Sequence, residues 1–294
     1  MLSTLIIEQV IESQKERLTN MRPGLSRNIS EHPGLSTHAL IVSGIRRCGK
    51  STWLQQVNKT YEGSSIYLNF EDPRLAGFEL SDFNRLHEIA IKKGTFAYFF
   101  DEIQNIDNWE SFVRFRLDEG YRIFITGSNA SMLSKELGTK LTGRHITKEL
   151  FPFSYSEYLA FTNQERGEQS SGNYMITGGF PEYLKTGLPD VLIQAFNDII
   201  LRDIAIRYNL KSTLVLQQLA VWLVSNSGKT FTGNSLRKTF QISSSSSIMD
   251  YLSYFVDAYL FFFIPKFSYS HKVQLVNPKK VYCIDNGFIK INSV

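Results

Sequence analysis

Cysteine is almost missing from this chain of 294 residues. Cys48 and Cys283 are too few for a disulfide framework, and with five scattered histidines they make no zinc-ligand spacing. Long apolar runs are missing too. The most hydrophobic stretch near the carboxyl end, 259–264, covers six residues, whereas crossing a bilayer takes about 20, so no membrane partner is expected. The opening MLSTLIIEQVIESQKERL lacks the apolar centre of a secretory leader, and with so little cysteine the expected compartment is the cytoplasm. No N-K-x-D occurs, which removes the carboxylate that selects guanine. Strong charge imbalance is also absent, at net +4. With 43% hydrophobic and 20% charged residues, the chain is neither disordered nor collagenous nor coiled coil throughout.

The charge that is present is unevenly placed. Residues 151–200 hold 2 basic and 6 acidic side chains, whereas 201–294 hold 11 basic and 4 acidic. The last third is therefore the candidate for an anionic partner such as double-stranded DNA.

Along the chain an amphipathic helix at 5–18 precedes a polar loop with Pro23, Gly24, Pro33 and Gly34. An α/β alternation follows. Short runs rich in Ile, Val, Phe and Tyr at 39–42, 65–70, 95–100 and 122–126 read as buried parallel strands, with 146–151 as a fifth. Helical spacing at 50–60, 81–92 and 109–119 supplies the crossovers. Past Pro152 the pattern turns helical, at 154–161, 192–208 and 214–225, while the polar stretch 162–173 reads as a mobile loop or linker. The expected fold is α/β, a P-loop NTPase with a central, mostly parallel sheet, followed by a helical region with a winged-helix-like part. The expected divisions are 1–37, 38–152, 153–210 and 211–294.

The strongest chemical signal is GIRRCGKST at 44–52, which satisfies G-x-x-x-x-G-K-[ST] between an expected strand and an expected helix. Backbone N–H groups of Gly44, Ile45, Arg46, Arg47, Cys48 and Gly49, with the helix start, would converge on a β-phosphate. Lys50 would reach the β- and γ-phosphates, Ser51 would offer its hydroxyl to Mg²⁺, and Thr52 would pack or cap. Arg46 and Arg47 add positive charge near the phosphates or face solvent. Cys48, near a helix start, is a candidate for oxidation.

FAYFFDE at 96–102 ends a strand in two acids. Asp101 takes the metal role and Glu102 the water-activating role, against a plain reading as a solvated helix start capped by Asp101. In ITGSNAS, Ser128 and Asn129 are candidate γ-phosphate sensors, or simply turn residues. Arg144, in LTGRH, is either a transition-state arginine or one half of a surface ion pair. Near the end, 234–240, a turn and 245–256 read as helix, turn, helix, followed by apolar segments at 261–267 and 280–284 suited to a hairpin. Lys229, Arg237 and Lys238 could meet nucleic-acid phosphates, yet the serine-rich helix start offers little for base readout, so docking to a protein client competes.

These blocks in their order, with YLNFEDPRL, FFDEIQNIDNWE, FITGSNASML, LFPFSYSEYL, GGFPEYL, DIILRDIAIR and KKVYCIDNGF, resemble the bacterial and archaeal AAA+-like ATPases in which an AAA domain precedes a DUF4143 region. The resemblance implies ATP binding and hydrolysis, a winged helix after the ATPase part, and a further domain beyond the IDNGF segment, where this chain ends at Val294. Two functions follow as expectations. One is a Mg-dependent ATPase, with sites completed between subunits of a homo-oligomer if Arg144 acts in a neighbour. The other is a slowly hydrolysing ATP-binding module that regulates a DNA or protein partner. A small-molecule kinase fits less well, because 135–144 is sparse for an arginine-rich lid.

Overall fold

The computed structural model describes residues 1–21, 24–27, 29, 37–128, 141, 143–242, 244–270, 274 and 277–292. They fall into two compact units, one of residues 1–44 and 49–150, the other of 45–48 and 151–294.

In the first unit, α1 (Thr4–Asn20) starts where the Ser3 hydroxyl accepts from the Ile6 N–H, at 3.3 Å. Its inner stripe, Ile7, Val10, Ile11, Gln14 and Leu18, has the i, i+3, i+4, i+7 spacing of a one-sided helix. Then come β1 (Ala39–Ser43), α2 (Lys50–Lys59), β2 (Ser65–Asn69), α3 (Leu80–Lys92), β3 (Ala97–Asp101), α4 (Trp109–Asp118), β4 (Arg122–Gly127) and β5 (His145–Glu149). The five strands are parallel, in the order β2-β3-β4-β1-β5. Successive side chains of a strand point to opposite faces. On one face Tyr98 and Phe100 join Phe83, Phe112 and the stripe of α1. On the other, Phe99 stacks on Phe124 at 4.5 Å with Tyr61 against both. Both faces being covered accounts for strands that read as unbroken apolar runs.

Gln14 gives α1 a second task. Its amide accepts from the Asn69 N–H at 2.8 Å and donates to the Asn69 carbonyl and to Asp72, which holds the carboxyl end of β2.

The second unit contains α5 (Tyr155–Thr162), α6 (Glu168–Thr177), α7 (Pro181–Thr186), α8 (Pro189–Asp198), a π-helix (Ile199–Ile206), α9 (Leu214–Ser225), β6 (Thr230–Phe231), α10 (Gly233–Thr239), α11 (Ser245–Asp257), β7 (Phe261–Pro265), β8 (Lys279–Cys283) and α12 (Asn286–Asn292). The strands form an antiparallel sheet ordered β6-β8-β7, with Phe261 opposite Cys283. Two expectations change. The polar stretch 162–173 is not all linker: α6 begins at Glu168, and the Ser170 hydroxyl, which accepts from the Gly167 N–H at 3.0 Å, closes its first turn. The helical period at 192–208 continues as a π-helix from Ile199.

GGFPEYL owes its glycines to packing. Gly178 has φ +72°, and a Cβ there would lie 1.8 Å from Asp285 Oδ1, while one on Gly179 would lie 2.2 Å from the Phe153 carbonyl oxygen. Asp285 is buried, accepts from the Gly179 N–H at 2.7 Å and the Gly287 N–H at 2.8 Å, and is pushed up to about 6 by desolvation. Gly178→Ala should lower stability by about 3 kcal/mol or more, since strain at positive φ adds to a clash with a fixed carboxylate. Denaturant unfolding monitored by circular dichroism measures this, and Asn173→Ala on the exposed side of α6 serves as the near-neutral control.

Candidate nucleotide site

The chain leaves β1 at Ser43 and turns into the loop 44–49, where Gly44 (φ +151°), Arg47 (φ +66°) and Gly49 (φ +106°) hold positive φ. Backbone of mixed handedness turns successive N–H groups toward one concavity, and α2 adds the positive end of its dipole. Lys50 opens α2. It is buried, and its Nζ donates to the Gly44 carbonyl at 3.0 Å, so the ammonium already spans the loop. The Thr52 methyl faces Gly24, where a Cβ would come within 2.9 Å. Gln56 donates to the carbonyls of Gly24 and Leu25. This brings in a side chain the motif did not indicate: Arg27, itself buried, has Nη1 3.6 Å from where a Cβ on Gly49 would stand.

Asp101 ends β3 with no exposure to solvent. The strand it ends is not next to β1, because β4 lies between them. Ser51 nevertheless spans the gap, its hydroxyl donating to Asp101 Oδ1 at 3.1 Å. The Thr126 hydroxyl of β4 donates to the same oxygen, and the Tyr67 hydroxyl donates to Oδ2 at 2.8 Å, with Asn69 at 3.4 Å. Burial, and then the neighbouring Glu102, hold the pKa of Asp101 above the usual carboxylate range, while its hydroxyl donors pull the other way. Buried Tyr67 moves up well above the ordinary tyrosine range for the same reason of desolvation. Sequence patterns missed Tyr67, Asn69 and Thr126. The first two lie in YLNFEDPRL and the last in FITGSN, blocks whose spacing alone assigns them no part.

Glu102 follows in a left-handed conformation, φ +54° and ψ +42°, and its Oε2 accepts from Gln104 Nε2. A non-glycine side chain held there marks a position that the surroundings over-determine. Ser128 is buried past the end of β4. Asn129, the other sensor candidate, lies outside the described residues.

The remaining motif positions go elsewhere. Ile45 and Cys48 are fully buried, so Cys48 lacks the exposure that oxidation requires. Arg46 and Arg47 are half-buried and held by acids. Arg46 makes a fork on Asp203, with Nε 3.0 Å from Oδ2 and Nη2 2.9 Å from Oδ1. Arg47 Nη2 donates to Asp198 at 2.9 Å, and Nη1 lies 3.6 Å from Glu182. Arg144 is half-exposed, pairs with Asp118, and precedes His145, the residue in register with Ala39 at the start of β1. The loop leaves β1 at its other end, roughly 15 Å away at 3.3 Å per residue. The structure thus brings Lys50, Ser51, Asp101 and Glu102 to one end of the sheet and leaves Arg144 at the opposite end.

Residues 36–159 match the family of the AAA domain, and residues 168–291 match a domain of unknown function, DUF8612. The second match replaces the DUF4143 region that the resemblance implied. An uncharacterized protein of Methanocaldococcus jannaschii is 36% identical over 266 residues, covering 83% of this chain and 60% of that protein. An uncharacterized protein of Haemophilus influenzae is 30% identical over 268 residues, 84% of this chain and 67% of that protein.

The chain belongs to one family with the Haemophilus influenzae protein, and its residues 36–159 carry the match to the AAA domain.

It spans 60% of the length of the archaeal relative. Among solved structures, AMPPCP-bound DnaA from Aquifex aeolicus aligns over 82% of this chain and 85% of that chain, at 13% identity and TM-score 0.38. The RuvB Holliday junction branch migration motor of Thermotoga maritima aligns over 89% of each chain at 12% identity and TM-score 0.39. No helix among the described residues is long and apolar enough to cross a membrane.

Glu102→Gly should raise stability by about 0.5–1 kcal/mol, because glycine adopts the left-handed region without a Cβ penalty. Chemical denaturation of the two proteins reads the difference, and a loss of stability would mean that the side chain contributes more than its backbone costs.

Proposed function

We propose that the chain binds ATP and hydrolyses it to ADP and phosphate. The observation that carries this reading is the meeting of Lys50, Ser51, Asp101 and Glu102 at one end of the parallel sheet, with Ser51 and Asp101 in hydrogen-bond contact. Lys50 holds the β- and γ-phosphates above the loop backbone, moving from the Gly44 carbonyl it now contacts. The donors nearest the phosphates, a hydroxyl and a carboxylate, are all oxygen, which suits the hard cation Mg²⁺. Ser51 and Asp101 are the residues that would hold it, and there it would offset charge on the phosphate oxygens. Glu102 orients the attacking water and takes its proton, with Gln104 fixing the carboxylate. The absent N-K-x-D favours adenine over guanine.

Arg144 lies too far from its own loop to touch a phosphate there, so as a catalytic arginine it can serve only a neighbouring copy. That reading requires a homo-oligomer. As for other partners, α10, α11 and the β7–β8 hairpin support a winged-helix module. Among the described side chains of α11 the exposed ones are Ser246, Met249, Asp250, Ser253 and Val256, with no cation among them. Phe262 and Ile264 of β7 are exposed as well. This face favours a protein client over duplex DNA, whose phosphates require cations.

Lys50→Ala should bind ATP at least 100-fold more weakly, whereas Glu102→Gln should bind within about threefold of wild type and turn over at least 100-fold more slowly, because one group contacts ground-state phosphates and the other acts on water. Titration with a fluorescent ATP analogue and phosphate release separate the two. Equal loss of binding in both variants sinks the role assignment. In a filter-binding assay at low salt, duplex DNA should be retained weakly at best. Salt-sensitive retention that drops on reversing the charges of Arg237 and Lys238 would restore the DNA reading.

A further inference from the structure

The tip of the phosphate loop is tied down by acids of the GGFPEYL and DIILRDIAIR segments, to which the sequence patterns assign no role. The fork of Arg46 on Asp203 uses two guanidinium nitrogens and both carboxylate oxygens, the geometry in which arginine binds a carboxylate most firmly. Asp203 is 5% exposed and the Arg46 side chain 19%, so water screens this pair little. One residue on, Arg47 holds positive φ and is gripped by Asp198, with Glu182 on its other side. All of these residues belong to the second unit, Arg46 and Arg47 included.

Asp198 and Asp203 are five residues apart, and in an α-helix such residues point about 140° apart around the axis. The helix between them is a π-helix, Ile199–Ile206, whose i→i+5 hydrogen bonds bring residue i+5 nearly over residue i. The rare winding is what lets both carboxylates meet two consecutive arginines. π segments occur often at functional sites, and here the functional partner is the loop.

We propose that Asp203 and Asp198 are positioning residues that set ATP affinity: by clamping the guanidinium groups of Arg46 and Arg47 they hold the strained tip of the phosphate loop in the shape that receives the phosphates. Positive φ at Arg47 persists only where the surroundings enforce it, and the clamp supplies that enforcement. The arginines thus act on the backbone cradle through their tethers and leave direct phosphate contact to Lys50. This rests on the ATP-binding reading above.

The test uses the full chain and two measurements, titration with N-methylanthraniloyl-ADP and steady-state ATP turnover. Asp203→Asn should weaken nucleotide binding about tenfold, and KM for ATP should rise by a similar factor with a smaller change in kcat. Asp198→Asn should weaken binding less, since Glu182 still faces Arg47. The double exchange Arg46→Asp with Asp203→Arg should recover affinity to within about threefold of wild type, because the pair is restored with its ends reversed. A merely structural role lowers Tm and the fraction of active protein but leaves the Kd of the folded fraction where it was, and that outcome overturns the proposal. Tighter binding by Asp203→Asn also overturns it, by showing that the acids withhold the arginines from the phosphates. If Asp203→Asn does not fold, Asp198→Asn and the exchanged pair decide. Failure of the wild-type chain itself to bind the probe overturns the ATP reading and this inference with it, whereas binding that Asp203→Asn and Asp198→Asn leave unchanged overturns this inference alone.

Discussion

Asp101 is a carboxylate with no access to water, and a great deal of the first unit is arranged around keeping it satisfied. A buried acid without partners costs several kcal/mol or takes up a proton. Its donors come from different elements: Ser51 from α2, Thr126 from β4, Tyr67 and Asn69 from β2. Each of those elements must therefore arrive in register. Gln14 of α1 holds Asn69 by both its N–H and its carbonyl, so even the first helix contributes to where the acid's partners stand.

The loop beside this acid has a different economy. Its backbone is bent three times into positive φ, and its own sequence offers two glycines at the ends but an arginine in the middle. Restraint there comes from side chains far along the chain, at 198 and 203. The AAA domain by pattern thus includes a loop whose tip groups with the residues matched to DUF8612.

Much of the first unit is legible in sequence because its strands are covered on both faces. Runs such as AYFF leave no alternation to misread, and G-x-x-x-x-G-K-S after such a run leaves little choice of loop. Strand order is less accessible: nothing in FAYFFDE says that β4, coming later, slides between β3 and β1, so Thr126 as a ligand of Asp101 had no local signal. The second unit yields less. The first part of α6, EQSSGN, is polar, and it is ordered by the local bond of Ser170 and by contacts of Tyr155 and Tyr174, which composition does not reveal. The π-helix hides inside an ordinary helical period, since one extra residue per turn shifts the pattern by less than a short segment can display. For Arg144 the sequence position after a glycine was compatible with a catalytic arginine, and only the register of β5 on β1 shows which end of the sheet it occupies.

Strand order has a consequence for how the chain is made. During synthesis β2, β3 and β4 emerge in the order in which they pair, each finding its neighbour one crossover later. The strand that carries the phosphate loop emerges first of all, yet its partners are β4 and β5. Until residues 122–127 leave the ribosome, Ala39–Ser43 has no place to dock and exposes a fully apolar strand next to an unformed loop. Long-range parallel pairing of this kind is slow and open to aggregation. The strand β1 is accordingly among the last of its sheet to be paired, so shielding the stretch from Ala39 onward during synthesis should raise the yield of native protein more than shielding the later strands.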